Sequence, residues 1–338
     1  MAIEINEMIK KANALLARGL DLGANKEIVD EAYDSDVAVK CTNGTFVGVK
    51  ESGVCAWKGI PFAKPPIGDL RFKAPVAPDP SDTVFEAYNY GKKPLSTDMP
   101  NITEHDEDCL YLNIFTGDND LTGKPVMVWV HGGAFVVESA SDEFYRGDAF
   151  AIAHPDCILV TIEYRLGPIG FALFDDIPGG EAYAGSENNG LKDQVMALRW
   201  IKENIAGFGG DPENVTIFGE SAGGVSVASL PLVEDAKGLF QKVIIQSGFA
   251  GFNLASIKVN NLAGRALCEA NGAESMEELL SVSEEDLRSN MYAYVVAADK
   301  VGAMGLGTVA DGGYIPADPY AAYAHGEAGN LQNMLGSN

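Results

Sequence analysis

Short runs of apolar residues, each bounded by turn residues, recur along the chain and predict buried β-strands. They stand at residues 126–130, 158–164, 215–218 and 243–245. Continuous runs of Val and Ile are typical of parallel strands that are buried on both faces of a sheet. Between two of these runs, at 191–205, apolar residues recur at the spacing of one helix face. This spacing predicts an amphipathic helix.

The first third of the chain has strand-like segments of another kind, at 37–40, 45–49, 54–60 and 110–114. Asn43-Gly44 separates the first two and predicts a hairpin turn. Antiparallel strands followed by strand–helix–strand units describe an α/β fold. We therefore expect a large, mostly parallel central sheet flanked by helices, with an N-terminal region of antiparallel strands.

Residues 1–30 predict a helical extension, because Ile5, Ile9 and Leu16 fall on one helix face with charged residues between them. This segment lacks the apolar stretch and the small-residue cleavage site of a secretory signal. The sequence also lacks the run of about 18 apolar residues that predicts a membrane span. Because no repeat or linker-like tract interrupts the chain, we expect one domain over residues 1–338.

The formal net charge of −24 narrows the choice of partners. Such a chain is repelled by nucleic acid and by anionic membrane surfaces, so neither is expected to bind it. The five cysteines are odd in number and lack Cys-X-X-Cys spacing. They indicate reduced thiols rather than a disulfide framework or a zinc site, and hence a cytoplasmic protein without a bound metal.

The candidate nucleophile is Ser221, in the stretch Gly219-Glu220-Ser221-Ala222-Gly223. Its two glycines permit a sharp strand-to-helix turn that exposes the serine hydroxyl. The helix N-terminus that follows favours negative charge, so the amide of Ala222 is suited to stabilise an oxyanion. A Gly-X-Ser-X-Gly pattern arises by chance in many chains. The strand predicted before it and the helix predicted after it are what favour a catalytic serine over a plain turn.

A second candidate element, His131-Gly132-Gly133-Ala134-Phe135, follows the strand predicted at 126–130. Residues without bulky side chains let a backbone approach a ligand with its N–H groups free to donate. We therefore assign Gly133 and Ala134 to an oxyanion hole shared with Ala222, with Gly132 supporting the loop. His131 is interpreted as a structural member of this loop rather than as the general base.

Several blocks, taken together, resemble the type-B carboxylesterase/cholinesterase family of α/β-hydrolases, in the order in which that family has them. They span the chain from about residue 37 onward. Besides the two stretches above, they are Gly59-Ile60-Pro61-Phe62-Ala63-Lys64-Pro65-Pro66, Leu70-Arg71-Phe72, Glu107-Asp108-Cys109-Leu110-Tyr111-Leu112-Asn113, Tyr164-Arg165-Leu166-Gly167, Gly190-Leu191-Lys192-Asp193-Gln194, Phe208-Gly209-Gly210-Asp211-Pro212, Gln246-Ser247-Gly248 and Asp311-Gly312-Gly313-Tyr314-Ile315-Pro316.

The resemblance implies an α/β-hydrolase fold and hydrolysis of small carboxylic esters through an acyl-serine intermediate, with no metal or organic cofactor. In the family, a catalytic glutamate and then a histidine follow the serine, and the glutamate comes just after a strand resembling Leu335-Gly336-Ser337-Asn338. We therefore expect this chain to be C-terminally incomplete. The catalytic Glu and His would then lie on a segment or a complementing polypeptide not included here.

Another base is conceivable on chain order alone. His325 lies C-terminal to Ser221, and Asp299 or Asp311 could serve as its acid. Its polar surroundings, Tyr323-Ala324-His325-Gly326-Glu327, indicate a surface segment and argue against this role. The two remaining histidines, His105 and His154, are also expected at the surface.

Polar residues near the predicted serine turn are candidates for supporting roles. Ser226 and Ser247 are expected close behind Ser221, and Glu220 beside it; bonding of both serines to local backbone is the alternative. Breaking a buried ion pair leaves one charge without a partner, so structural pairs of this kind are expected in the family blocks. The two that we predict are Arg71 with Glu107 and Arg165 with Asp193.

Three functions from different classes fit the sequence to different degrees. A carboxylesterase that uses Ser221 is favoured. A catalytically silent interaction protein, like the adhesion members of the resembled family, is disfavoured because those members lack the serine. A binding module or storage fragment is the third, and a fluorophosphonate label on Ser221 would separate it from the first.

Overall fold

The computed structural model describes residues 7, 10–11, 20–21, 23–30, 32–97, 104–119, 121–250, 256–300 and 305–337. Within these ranges the strands are β1 Ala38–Cys41, β2 Gly44–Val47, β3 Val49–Glu51, β4 Val54–Pro61, β5 Val84–Glu86, β6 Lys93–Pro94, β7 His105–Asp106, β8 Tyr111–Gly117, β9 Lys124–Val130, β10 Ile158–Ile162, β11 Gly210–Glu220, β12 Lys242–Gln246 and β13 Gln332–Gly336. The helices are α1 Asp148–Ala153, α2 Gly167–Phe171, α3 Asn189–Asn204, α4 Ala222–Ser229, α5 Ile257–Ala270, α6 Met276–Ser281, α7 Glu284–Asn290, α8 Ala293–Lys300 and α9 Pro319–Ala324.

An eight-stranded mixed sheet organises these elements, with the order β13-β12-β11-β9-β10-β8-β4-β3. The strands from β13 to β10 run parallel to one another. Strands β8, β4 and β3 continue the sheet in antiparallel pairs. A smaller sheet, β1-β2-β5, contains the N-terminal hairpin. The structure confirms the predicted architecture of a mostly parallel central sheet with antiparallel strands near the N-terminus.

The burial of the central elements explains why their sequences are apolar. All five residues of β10 are buried, as expected for a parallel strand covered on both faces. In α3 the residues of the predicted stripe are no more than 3% exposed, and they pack into the main core: Leu191, Val195, Leu198 and Ile201. The stripe therefore fixes which face of α3 meets the sheet.

Two local predictions need correction. The N-terminal hairpin forms, but its turn is Thr42-Asn43, because Cys41 pairs directly with Gly44. Most of the helical extension predicted over residues 1–30 lies outside the described residues. The described residues 7 and 10–11 are helical, as predicted, whereas those at 20–21 and 23–30 are not, and Glu27 forms an antiparallel bridge with Phe85. The chain therefore leaves the helical conformation before residue 30, where Glu27 pairs with β5 of the small sheet.

Among the described helices, none combines the length and the apolar character needed to cross a lipid bilayer. All five cysteines are free thiols, and burial raises the pKa of Cys41 to about 12 and that of Cys268 to about 11. A thiol that keeps its proton is a poor nucleophile, so these two cysteines are structural.

Both predicted ion pairs are present and buried. Arg71 donates to the two carboxylate oxygens of Glu107 at 2.8 and 2.6 Å. Arg165 does the same to Asp193 at 2.8 and 2.6 Å, and its third nitrogen donates to the carbonyl oxygen of Lys73 at 2.7 Å. These bidentate contacts satisfy each buried guanidinium and tie distant parts of the chain together.

We predict that Asp193→Asn destabilises the protein strongly, because it leaves the buried Arg165 without a counter-charge. The expected loss in the free energy of unfolding is about 3–5 kcal/mol, measured by urea denaturation. The matched control is Asp82→Asn, which breaks the solvent-exposed pair with Lys40 and is expected to change little. Equal stability of Asp193→Asn and the unmodified protein would contradict the prediction.

Candidate active site

Ser221 occupies a sharp turn between β11, which ends at Glu220, and α4, which begins at Ala222. Its backbone is strained, with φ of 54° and ψ of −118°. Such a conformation costs about 1–3 kcal/mol and persists only where the surroundings impose it. The residue is exposed, and within the described part of the chain no group hydrogen bonds its hydroxyl. The turn therefore presents a free hydroxyl at the carboxyl end of the central strands.

Glycines on both sides of Ser221 allow this turn to pack against β9. A Cβ atom on Gly223 would lie 2.1 Å from the carbonyl oxygen of Val130. One on Gly219 would lie 2.6 Å from the backbone of Gly223. The turn is further fixed by the N–H of Ser221, which donates to the carbonyl oxygen of Gln246 at 3.0 Å. No side chain larger than hydrogen fits at either glycine, as the sequence pattern predicted.

The loop after β9 turns back on itself next to this serine. Gly133, Ala134 and Phe135 have φ values of 81°, 53° and 63°, so three consecutive residues are left-handed. The carbonyl oxygen of Gly133 accepts hydrogen bonds from the N–H groups of Val136 and Val137 at 2.9 and 3.0 Å. Across the described residues, the N–H groups of Gly133 and Ala134 have no acceptor. They remain available to a ligand.

Gly132 joins this loop to the serine turn. A Cβ atom on Gly132 would lie 3.0 Å from the carbonyl oxygen of Glu220 and 3.5 Å from the carboxylate of the same residue. The two backbones therefore touch, and both stand at the carboxyl edge of the sheet, where Gly219 pairs with Val130. The structure thus brings together the two stretches that the sequence singled out.

His131 lies inside the molecule, behind the loop. It is fully buried, and burial lowers the pKa of its imidazole to about 3. The ring stacks on Tyr164 with a centroid distance of 4.3 Å. Its Nδ1 lies 3.3 Å from the carbonyl oxygen of Gly132. A neutral, enclosed imidazole of this kind supports the loop, in agreement with the structural role we assigned to it.

Two residues that the sequence reasoning missed, Glu163 and Tyr164, directly follow β10. Glu163 is fully buried, and its hydrogen-bond donors among the described residues all belong to the turn that follows the loop. Burial raises the pKa of its carboxyl group to about 7, against the lowering effect of those hydrogen bonds. A sequence signal was available, because an acidic residue directly after an apolar strand needs hydrogen-bond donors around it if it is buried.

The residues predicted to support Ser221 have partners of their own. The Ser226 hydroxyl is buried and accepts a hydrogen bond from Gln194 Nε2 at 3.0 Å, which joins α4 to α3. Ser247 follows β12 with φ of 52°, and its N–H donates to the carbonyl oxygen of Gly336 at 2.8 Å. Glu220 is half-buried at the end of β11. Supporting roles for these three residues stay predictions.

The other histidines lie away from this arrangement of groups. His105 was expected at the surface but is only 7% exposed, because its Nδ1 pairs with the carbonyl oxygen of Pro94 at 2.7 Å. His154 is exposed, as expected. The His325 side chain is 73% exposed, with Glu327 at 4.0 Å. The carboxylate of Asp311 accepts three backbone N–H groups of its own turn. Neither this carboxylate nor His325 contacts Ser221 within the described residues.

No group of three or more His, Cys, Asp or Glu residues is arranged to hold a metal ion in the described ranges. The candidate site therefore consists of an exposed hydroxyl and nearby backbone N–H groups.

Comparisons with known proteins place the chain in one family. A family model described as the carboxylesterase family matches residues 35–338. Para-nitrobenzyl esterase of Bacillus subtilis (strain 168) is 40% identical over 301 residues, which is 87% of this chain and 60% of that protein. Acylcarnitine hydrolase of Mus musculus is 36% identical over 312 residues, 87% of this chain and 54% of that protein. The chain therefore spans less than two thirds of the length of these relatives.

A solved structure of a PNB esterase superposes with a TM-score of 0.79 at 38% identity and covers 89% of this chain and 63% of its own. A thermophilic PNB esterase gives a TM-score of 0.81 at 37% identity, with the same two coverages, 89% and 63%. The similarity thus extends over almost the whole chain.

We predict that Ser221→Gly is more stable than Ser221→Ala by about 1 kcal/mol, because glycine adopts a positive φ without strain. Thermal or urea unfolding of the two variants measures this difference. Ser229, the last residue of α4, is the control: its φ of −85° and ψ of −36° are helical, so Ser229→Gly is expected to be less stable than Ser229→Ala by about 1 kcal/mol. If the glycine variant is less stable than the alanine variant at both positions, the strain at Ser221 is contradicted.

Proposed function

We propose that this chain, which belongs to the carboxylesterase family, supplies the nucleophile and the oxyanion hole of a serine carboxylesterase. The observation that carries the proposal is the exposed Ser221 hydroxyl on its strained turn, packed against a loop with unpartnered N–H groups. The fold and the length of the matched segment support the same reaction class. A catalytically silent protein would have no need to maintain strain at this serine.

In the proposed acylation step, the Ser221 oxygen attacks the ester carbonyl carbon while its proton passes to a histidine base. The tetrahedral intermediate collapses, the bond to the alcohol oxygen breaks, and the histidine gives its proton to the departing alkoxide. Water then attacks the acyl-serine ester with the same base accepting its proton. This second step releases the carboxylic acid and restores the serine hydroxyl.

The negative charge of the tetrahedral intermediate is stabilised, in this proposal, by the N–H groups of Gly133, Ala134 and Ala222. Preorganised donors of this kind act where charge develops, and losing one typically costs about 10²–10³ in turnover. Ala222 is the first residue of α4, whose N-terminus favours a negative charge. The contact between Gly132 and Glu220 supports the placement of the loop donors beside the serine.

The general base and its acid are proposed to come from outside these 338 residues. Of the four histidines in the sequence, His131 and His105 are buried with structural contacts, and His154 and His325 are exposed. Among the described residues none of them hydrogen bonds to Ser221, so none is proposed as its base. Strand β13 is exposed along its whole length and its described sheet partner is β12 alone. This edge is where a complementing polypeptide segment carrying the Glu and the His would attach.

The proposed substrate class is small carboxylic esters. The names of the relatives point to different alcohols and acyl groups, p-nitrobenzyl in one and carnitine in another, and share only the carboxylic ester. The free cysteines agree with the cytoplasm as the proposed location.

We predict that a fluorophosphonate probe labels Ser221 in the complete enzyme and that Ser221→Ala abolishes both labelling and hydrolysis of p-nitrophenyl esters. Loss of the nucleophile is expected to lower turnover by about 10⁶-fold. Ser281→Ala serves as the control, since Ser281 is exposed on α6 and bonds only to its own helix. Labelling that survives in Ser221→Ala would place the nucleophile elsewhere.

We further predict that residues 1–338 expressed alone hydrolyse short-chain p-nitrophenyl esters only at a faint rate, since Ser221 keeps its proton without a base. A polypeptide carrying the catalytic Glu and His is expected to restore turnover. Within the chain expressed alone, His325→Ala is expected to change nothing. Robust hydrolysis by the chain alone that disappears in His325→Ala would make His325 the base and overturn this assignment.

A further inference from the structure

The loop that carries the proposed oxyanion donors is strained and needs an external support. Ala134 and Phe135 are non-glycine residues at φ of 53° and 63°, and Glu138 further along is at 70°. Each such residue costs about 1–3 kcal/mol and persists only where surrounding contacts impose its conformation. The hydrogen bonds from Val136 and Val137 to Gly133 close the loop on itself, and the N–H groups of Gly167 and Thr97 donate to the carbonyl oxygens of Phe135 and Val136 at 2.7 and 3.0 Å. The two ends of the loop are held by a further element.

Strand β10 supplies that element. It runs parallel to β9 with Ile162 opposite Val130, so the residues that follow each strand, Glu163 and His131, stand side by side. Glu163 Oε2 lies 3.8 Å from His131 Nε2, which has no hydrogen-bond partner among the described residues. The carboxylate is therefore placed directly behind the start of the loop.

The same carboxylate holds the end of the loop. Its Oε1 accepts hydrogen bonds from the Ser139 hydroxyl at 2.6 Å and from the Ser141 hydroxyl and N–H at 2.9 and 3.1 Å. Its Oε2 accepts the N–H of Ala140 at 3.0 Å. Hydrogen bonds to a charged acceptor are about twice as strong as neutral ones. All four donors belong to the turn 139–141, the segment into which the loop runs.

Tyr164, the next residue, holds the opposite end. Its hydroxyl lies 2.9 Å from the carbonyl oxygen of His131 and 3.2 Å from that of Gly132, and its ring stacks on the His131 imidazole. Of the two residues that follow β10, Tyr164 therefore contacts the start of the loop, and Glu163 accepts hydrogen bonds from the turn at its end. Between these two attachments stand the left-handed residues Gly133 and Ala134, whose N–H groups have no acceptor among the described residues.

We propose that Glu163 is a positioning residue that sets the direction of the Gly133 and Ala134 N–H groups through its hydrogen bonds to the turn 139–141. The inference rests on the proposed function, because it matters for turnover only if those N–H groups stabilise an oxyanion.

The energetics favour this role over simple stabilisation of the fold. Glu163 is fully buried and burial raises its pKa to about 7. A neutral residue of similar size would avoid the desolvation that a carboxylate suffers there. Strongly perturbed groups of this kind concentrate at functional sites. The carboxylate accepts four hydrogen bonds from the turn 139–141, which an apolar residue cannot do.

The test compares Glu163→Gln with Glu107→Gln in the complete enzyme. Glu107 is the matched control, being a buried carboxylate that accepts hydrogen bonds from Arg71 and, among the described residues, none from the turn 139–141. In Glu163→Gln an amide NH2 group replaces one of the two carboxylate oxygens. Depending on which oxygen is replaced, the N–H of Ala140 or the N–H of Ser141 then faces a donor instead of an acceptor. Misplaced oxyanion donors weaken transition-state binding and leave substrate binding intact. We expect kcat per titrated serine to fall about tenfold or more with KM unchanged, whereas Glu107→Gln keeps kcat.

Hydrogen exchange supplies a readout that does not depend on turnover. Peptides covering residues 131–142 are expected to exchange faster in Glu163→Gln than in the unmodified protein, while those covering β9 are unaffected. Ser139→Ala, which removes one donor and keeps the carboxylate, is expected to act in the same direction more weakly and serves if Glu163→Gln folds poorly. An unchanged kcat with unchanged exchange, or an equal kcat loss in Glu107→Gln, would overturn the role of Glu163. Absence of turnover and of labelling in the unmodified enzyme would instead reject the proposed function, whatever the exchange data show.

Discussion

The backbone of α4 at Gly223 packs so closely on the end of β9 that a single methyl group there would meet the Val130 carbonyl oxygen at 2.1 Å. This contact is possible only because β9 and β11 are adjacent parallel strands whose carboxyl ends reach the same edge of the sheet. It forces Ser221 to a positive φ and turns its hydroxyl away from the sheet. The position of the loop after β9 follows from the same contact, since Gly132 then has Glu220 directly beside it.

The sheet edge that results is maintained by buried charges as well as by apolar packing. The pairs Arg71–Glu107 and Arg165–Asp193 connect loops that are far apart in the sequence. Arg71 also donates to the carbonyl oxygens of Leu280 and Val282, and so joins the N-terminal part of the chain to the segment after α6. Buried pairs of this kind contribute little net stability compared with apolar replacements. Their directional hydrogen bonds hold the segments that they connect in one arrangement.

A division of tasks emerges at this edge. The glycines allow the backbones of the loop and the serine turn to approach each other closely. The residues after β10 donate and accept hydrogen bonds at the two ends of the strained loop. Both are needed, because a glycine loop without such contacts is free to change its conformation, and a carboxylate without hydrogen-bond donors is costly to bury. The acidic chain as a whole, at −24, bears on solubility and partner choice and has no direct part in this local arrangement.

The sequence by itself determined the fold class, the serine turn, the glycine loop and both buried ion pairs. Each of these depends on a local requirement that few residue types meet: glycine where backbones touch, Val and Ile where a strand is covered on both faces, and opposite charges where burial forbids a lone one. The turn at Thr42-Asn43 was missed by one residue, because hairpin register is set by cross-strand pairing that a turn dipeptide only approximates.

Only the tertiary structure decided the hydrogen-bond partners of Glu163 and the burial of His105. Glu163 and its donors at 139–141 are separated by more than twenty residues in the chain, and parallel strand pairing brings them together. No local pattern encodes such a contact, because its partners come from different loops. Local sequence therefore fixed what each segment is able to form, and the order of strands across the sheet fixed which segments meet.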